Sequence, residues 1–212
     1  SGQNVFMLTS FNPGSGKSFL AMNIAMSFAI KKKRILVIDG DLRHGSTSSY
    51  VDSPKTGLSD YLGNRVSDWK EIIVKDEKYD NLHIIPIGTV PPNPTELLED
   101  GKLATLIEVL RSEYDYIFID CPPIDIVADA QIIEKLADRT VFVVRSGLLD
   151  RSMLPELENI YQEKRFKNLS VILNGTESAG GRYGYRYGYR NGYSSYYGNK
   201  GKMGGGKWMV IK

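Results

Sequence analysis

The 212-residue chain is 42% hydrophobic and 25% charged, with a formal net charge of +2, which fits one globular domain with an ordinary core. Its single cysteine, Cys121, excludes an internal disulfide, and no Cys/His cluster offers a zinc site, a balance that suits a reducing cytosol. No apolar run approaches the ~20 residues that cross a bilayer, and no signal peptide is present, so a soluble chain is expected, including one cut from a membrane protein.

Apolar β-branched runs alternate with helical patterns along the chain. Val5–Thr9 reads as a buried strand, followed by a Gly-rich loop and a helix from about Lys17 to Ile30. Arg34–Ile38 reads as a second strand that ends at Asp39, and Leu82–Ile87 as a third. Trp69 with Ile72 and Ile73 reads as a short amphipathic helix. Pro91–Pro94 reads as a rigid lead into the next helix. That helix spans Thr95 to about Ser112, through Leu97, Leu98, Leu103, Leu106, Ile107 and Leu110. Tyr116–Ile119 is a fourth strand ending at Asp120, Asp129–Leu136 a helix, Thr140–Val144 a fifth strand, Met153–Arg165 a helix and Leu169–Leu173 a sixth strand. Continuous apolar strands separated by helices predict an α/β fold, a mainly parallel sheet covered on both faces. Ligands in such sheets bind at strand carboxyl ends.

The domain is expected to span residues 1–176, and a Tyr/Gly-rich tail to span 177–212 without assigned structure. After Glu177 the tail holds no acid but seven basic residues: Arg182, Arg186, Arg190, Lys200, Lys202, Lys207 and Lys212. Setting those seven aside from the 27 basic residues leaves 20 against 25 acidic ones, a body of net charge −5. A basic tail can dock on that body or on a neighbour, or bind an anionic surface.

Three segments carry chemistry. The first is SFNPGSGKS, Ser10 to Ser18. Gly14 and Gly16 let the backbone turn its N–H groups towards phosphate oxygens, and the helix that starts near Lys17 adds its N-terminal dipole. Lys17 reaches the β/γ-phosphates and the Ser18 hydroxyl can ligate Mg²⁺. Nucleotide contacts are therefore expected from Pro13, Gly14, Ser15, Gly16, Lys17 and Ser18. The strict pattern has Gly six residues before the Lys, where this chain has Phe11. A Gly-rich turn without a ligand is the bland alternative. The second segment is ILVIDGDLR, Ile35 to Arg43. Asp39 and Asp41 sit two residues apart at a strand end, so both can face one side. One can hold a metal or its waters while the other accepts the proton of an attacking hydroxyl. Arg43 can stabilise transferred charge or pair with Asp41. The third is YDYIFIDCPP, where Asp120 closes a strand as the usual Mg²⁺-water ligand of P-loop proteins. Cys121 reads as a small buried residue rather than a nucleophile. His44 reads as a surface residue and His83 as a strand-face residue.

The tail reads RYGYRYGYRNGYSSYYG from Arg182 to Gly198. Tyr183, Tyr185, Tyr187 and Tyr189 alternate with Gly or Arg, and Tyr193, Tyr196 and Tyr197 follow. In an extended chain two residues advance about 6.6 Å, so each step offers the next phenol in the same orientation. Such composition also suits stacking on single-stranded RNA. Beside a phosphate donor, the reading favoured here is a tethered tyrosine acceptor, with no nucleic acid as partner.

Together these motifs resemble the catalytic domain of bacterial tyrosine kinases, and more distantly the MinD/ParA ATPases. The resemblance rests on NPGSGKS, ILVIDGDLR and IFIDCPP, and on TGLSDYL (Thr56–Leu62), IPIGTVPPNPTELL (Ile85–Leu98), DAQII (Asp129–Ile133) and VVRSG (Val143–Gly147). MinD/ParA proteins carry a signature lysine five residues before the P-loop lysine, where Asn12 stands here, and they lack a tyrosine tail. The resemblance implies ATP and Mg²⁺ as cofactors and Asp39 as the base. It implies Asp41 and Asp120 as organisers of Mg²⁺, and the tail tyrosines as autophosphorylation sites. Asn174, in VILNG, would hydrogen-bond the adenine edge or cap a turn. An ExxRxxR oligomerisation motif usually lies upstream of the P-loop, in a stretch this sequence does not contain. With Ser1-Gly2 reading as a cloning scar, this suggests a piece of a longer, homo-oligomeric protein. In the family the domain follows a transmembrane polysaccharide co-polymerase or binds a separate membrane activator. That implies a cytoplasmic domain at a bacterial inner membrane, controlling capsular or exopolysaccharide synthesis and export. The alternative is a positioning ATPase without kinase activity.

Overall fold

The computed structural model describes residues 2–124 and 128–176, and the backbone of 207–211. The tyrosine cluster Tyr183–Tyr197 lies outside the described residues. Eight strands form one sheet: β1 (Val5–Thr9), β2 (Ile35–Asp39), β3 (Val74–Lys75), β4 (Leu82–Ile85), β5 (Tyr116–Asp120), β6 (Arg139–Arg145), β7 (Ser170–Thr176) and β8 (Lys207–Ile211). Their order is β3-β4-β2-β5-β1-β6-β7-β8. The inner six are parallel, and β3 and β8 are antiparallel edges.

Every residue of β2 is buried, and its side chains alternate between two cores. Ile35 and Val37 join Leu8, Phe118 and Val143 under one long helix, α1 (Lys17–Ile30), which contributes Leu20, Met22, Ala25, Met26 and Ala29. Leu36 and Ile38 join Met7, Ile119 and Phe142 on the other face. That face is covered by α2 (Leu58–Leu62), α3 (Pro94–Glu99), α4 (Lys102–Glu113), α5 (Asp129–Glu134) and α6 (Leu154–Gln162). A strand that is apolar throughout therefore has period 2 after all, with a core on each side.

The expected strands and helices are present with shifted ends. The stretch expected as one helix from Thr95 to Ser112 is two, broken at Asp100–Gly101. Gly101 adopts φ +83° with open space around its Cα, so the break comes from backbone conformation, not crowding. The Trp69 segment is a single 3-10 turn, Trp69–Ile72, capped by the Asp68 carboxylate, which accepts the Lys70 N–H at 2.9 Å. Pro94 opens α3 as its first residue. Within the stretch read as a tail without assigned structure, Lys207–Ile211 pairs with β7, Val171 opposite Ile211 and Leu173 opposite Met209. The apolar run WMVI, which ends in the β-branched Val210 and Ile211, suits that edge.

One polar clamp ties the amino-terminal end of the sheet together. Arg111 of α4 holds Asp138 at 2.6 Å and 3.1 Å, and Asp138 also accepts the Val5 N–H at 2.9 Å. Burial pushes the Asp138 carboxyl up, but the Arg111 and Val5 hydrogen bonds outweigh it and leave the carboxyl below its ordinary value. This stabilisation is present above the unfolded value near 4 and is lost as pH falls towards the folded one. Asp138→Ala should cost about 1–2 kcal/mol at pH 7, and the gap to the parent should narrow below pH 4 in urea unfolding. A constant gap across that range would show that packing, not charge, supplies the effect.

Candidate active site

The carboxyl ends of β1, β2 and β5 lie side by side, with Asp39 directly opposite Asp120 in the ladder. The P-loop leaves the end of β1, which pairs with β5 on the side away from β2. Gly14 and Gly16 both take left-handed φ, +73° and +95°. Among the described residues, no N–H of Gly14, Ser15, Gly16, Lys17 or Ser18 donates within the chain. Five amides without protein acceptors at the start of a 14-residue helix form a concentrated anion site. Ser10 and Ser15 hydroxyls both donate to the Asn12 carbonyl at 2.8 Å, which braces the loop.

Lys17 is buried and donates to the Ser10 hydroxyl at 3.2 Å. Burial lowers its pKa, and the nearby Asp120 and Asp41 charges oppose that fall. Asp39 is fully buried. Its Oδ2 accepts the Ser48 N–H at 2.6 Å and the Ser48 hydroxyl at 2.7 Å, and its Oδ1 faces the Asp41 N–H at 3.4 Å. Burial first, and the Asp120 charge second, raise its pKa from 3.8 to about 7 despite the Ser48 bonds. Asp120 is also buried. The Thr47 hydroxyl donates to its Oδ2 at 2.7 Å, while Oδ1 has no partner among the described residues. Burial raises its pKa, opposed by the Ser18 and Thr47 hydroxyls and by Lys17.

Asp41 uses Oδ1 to accept the Arg43 and His44 N–H groups at 3.3 Å each. The Arg43 guanidinium does not turn to Asp41. It meets buried Asp129 at 3.3 Å and Thr95 at 3.0 Å, and Thr95 in turn donates to Asp129 at 2.7 Å. Of the two readings open for Arg43, the ion pair with Asp41 is not the one found. The side chain reaches across to α3 and α5 because Asp129, which opens α5, offers it a buried carboxylate. Asn174 does not cap a turn: its amide donates to the Ser15 carbonyl at 2.8 Å. Cys121 is buried, its thiol pKa raised well above 9 by burial, as expected for a packing residue. His44 is exposed but bonds Asp41 through Nδ1, and His83 on β4 meets the Tyr114 hydroxyl at 2.7 Å.

Sequence reasoning passed over Thr47, Ser48 and Arg145. The first two lie in the Ser/Thr run that follows DGDLR, where hydroxyls within reach of two strand-end carboxylates were the available signal.

A protein-family profile described as an AAA domain matches residues 4–148. Tyrosine-protein kinase CpsD of Streptococcus pneumoniae is 35% identical over 200 residues, covering 93% of this chain and 84% of that protein. The kinase domain of Escherichia coli tyrosine kinase ETK superposes with a TM-score of 0.74 at 31% identity, covering 86% of this chain and 72% of that one. The septum site-determining protein MinD of Pyrococcus horikoshii, solved with Mg-ADP, reaches 0.65 at 22% identity, covering 80% and 69%. At that identity the likeness to MinD shows the shared fold alone.

Proposed function

The chain belongs to the bacterial tyrosine-protein kinases, ATP-dependent phosphotransferases on a P-loop fold, and from that premise we propose that its first substrate is its own tyrosine segment. The observation that carries this reading is one site: a loop of free amides, a buried lysine and the strand-end carboxylates Asp39 and Asp120, with Asp41 just beyond β2, at the carboxyl end of the sheet.

The residues fit Mg²⁺. Asp120 Oδ1 is buried without a partner, and the Ser18 hydroxyl lies close enough to lower the Asp120 pKa. Among the described residues no cluster of three His, Cys, Asp or Glu could cage an ion alone, which suits a cation that keeps waters and phosphate oxygens in its shell. Ser18 would ligate it, with Asp41 and Asp120 orienting its waters. Bound there, Mg²⁺ would supply positive charge beside the phosphate oxygens. The free amides of residues 14–18 would bind the phosphates, and Lys17, beside Ser10 in the same loop, would add a cation. A tyrosine hydroxyl, with an ordinary pKa near ~10, keeps its proton at neutral pH, so a base must take it during transfer. Asp39 is assigned that role.

Acceptors would be Tyr183, Tyr185, Tyr187, Tyr189, Tyr193, Tyr196 and Tyr197, from the same or a neighbouring chain. Tethering supplies an acceptor concentration of ~mM, so sequence recognition can be weak. Each phosphate adds about −1.5 to −2 charge, which would turn the basic tail acidic and weaken docking on the acidic body. A homo-oligomer, a transmembrane co-polymerase partner or membrane activator, a place on the cytoplasmic side of the bacterial inner membrane, and control of capsular or exopolysaccharide export complete the proposal.

The test is incubation with ATP and Mg²⁺, followed by intact-mass and peptide mapping, with an activator supplied. Phosphate on Tyr183–Tyr197 that is absent in Lys17→Met is the expected result. ATP hydrolysis without phosphotyrosine would overturn it in favour of a positioning ATPase.

A further inference from the structure

A loop that turns its amides to phosphate leaves its carbonyls to be satisfied elsewhere. Two of them are taken by side chains from β6 and β7, the strands next in line to β1. The Arg145 guanidinium donates to the Gly14 carbonyl at 2.7 Å, and the Asn174 amide donates to the Ser15 carbonyl at 2.8 Å. Arg145 and Asn174 are opposite each other on β6 and β7 and are bridged again by the Ser146 N–H on the Asn174 carbonyl at 2.8 Å. One rung of the sheet therefore holds two successive peptides of the P-loop.

Two left-handed glycines make room for this rung. A Cβ on Gly16 would lie 2.3 Å from Asn174 Nδ2, and a Cβ on Gly175, at φ +70°, would lie 3.3 Å from Arg145 Cγ. Gly16 is required for its φ of +95°, and a side chain there would also have to displace the Asn174 amide from the loop. Arg145 is exposed and forms no ion pair among the described residues. Its charged donor goes to a neutral carbonyl 131 residues away.

We propose that Arg145 and Asn174 are positioning residues that latch the P-loop in its anion-binding shape, acting through the Gly14 and Ser15 carbonyls rather than by touching the base. The inference rests on the nucleotide reading of the site and deepens it. A latch acts on the loop whatever the ligand, so it affects phosphate binding without a nucleobase. An adenine contact does not.

The experiment is calorimetric titration of Mg·ATP and of Mg·triphosphate, the inorganic ion, into the parent, Arg145→Met, Arg145→Lys, Asn174→Ala and the double variant Arg145→Met/Asn174→Ala. Melting of each ligand-free protein is recorded alongside. Arg145→Met and Asn174→Ala should each weaken both ligands by about 5–20-fold, the range of one hydrogen bond to a charged or carbonyl group. Arg145→Lys should recover most of the Arg145 loss. The double variant should lose less than the product of the two, because both act on one loop. Loss confined to ATP in Asn174→Ala would assign that residue to the base and overturn the latch. Unchanged triphosphate affinity in Arg145→Met would overturn it too, as would a loss that tracks the melting temperature and is not recovered by Lys. A parent protein that binds neither ligand would instead overturn the nucleotide reading itself.

Discussion

Asp39→Asn is expected to slow tyrosine phosphorylation by about 10²–10⁴-fold, the usual worth of a positioned general base, while Mg·ATP affinity falls much less. The argument starts from the local chain. β2 is apolar through Ile38 and then presents Asp39 at its carboxyl end, opposite Asp120. Two carboxylates facing each other on neighbouring strands, both out of water, cannot both ionise cheaply, and burial with that repulsion lifts Asp39 to about 7. A carboxyl poised there is matched to accept a proton near neutral pH. Its oxygens are occupied, however. Ser48 donates twice to Oδ2, through N–H and hydroxyl, and no Asp39 atom reaches the surface. For a tyrosine to give Asp39 its proton, the 3-10 turn Ser48–Val51 must yield. Two roles therefore need separating, proton acceptor and anchor of that turn. Ser48→Ala removes the hydroxyl bond but keeps the carboxylate and the N–H bond. If Asp39 is the base, Ser48→Ala should retain most of the rate while Asp39→Asn loses nearly all of it. Equal losses in single-turnover phosphotyrosine formation would leave Asp39 as an anchor only, and Asp41, whose carboxylate is less covered, would become the base.

Much of this site is legible in the sequence, for an identifiable reason. The P-loop, Asp39 and Asp120 sit at the carboxyl ends of largely apolar strands, so a parallel sheet places them at one end of the sheet before any contact is known. What hides from the sequence is everything that crosses it. Arg43 could be expected on Asp41 two residues away; only the fold shows Asp129, 86 residues on, as the stronger attraction. Asn174 carries a carbonyl-seeking amide that spacing cannot aim. The break at Gly101 was masked by leucines that keep helical periodicity on both sides. The edge strand Lys207–Ile211 follows a Gly-rich stretch, and its pairing depends on an open β7 edge rather than on local pattern.

The segments TGLSDYL and IPIGT, unremarkable in composition, carry the largest expected effect on stability. Gly57 and Gly88 bring two backbones into contact. A Cβ on Gly57 would lie 2.3 Å from the Gly88 nitrogen and 2.3 Å from the Pro86 carbonyl oxygen, both main-chain atoms that cannot swing aside. Asp60 stitches the approach, its Oδ2 accepting the Gly57 and Thr89 N–H groups at 3.0 and 3.1 Å and its Oδ1 the Arg65 Nε at 2.9 Å. Leu58 and Ser59 donate to the Pro86 and Ile87 carbonyls at 2.8 and 2.9 Å. The next link leads to the site, because the Ile87 N–H donates to the Ser48 hydroxyl at 2.8 Å, and that hydroxyl donates to Asp39. Gly57→Ala must therefore separate two chains, break several of these bonds and loosen Ser48. It should cost about 3 kcal/mol or more, a fall of roughly 6–12 °C in melting temperature for a domain of this size. Gly101→Ala is the control. It too imposes a side chain, at φ +83°, but meets nothing within 4 Å, so only backbone strain of about 1–2 kcal/mol applies. Thermal unfolding of the two variants side by side separates close approach from conformation. A Gly57→Ala protein no less stable than Gly101→Ala would mean that the two segments part without cost, and that Ser48 holds Asp39 without their support.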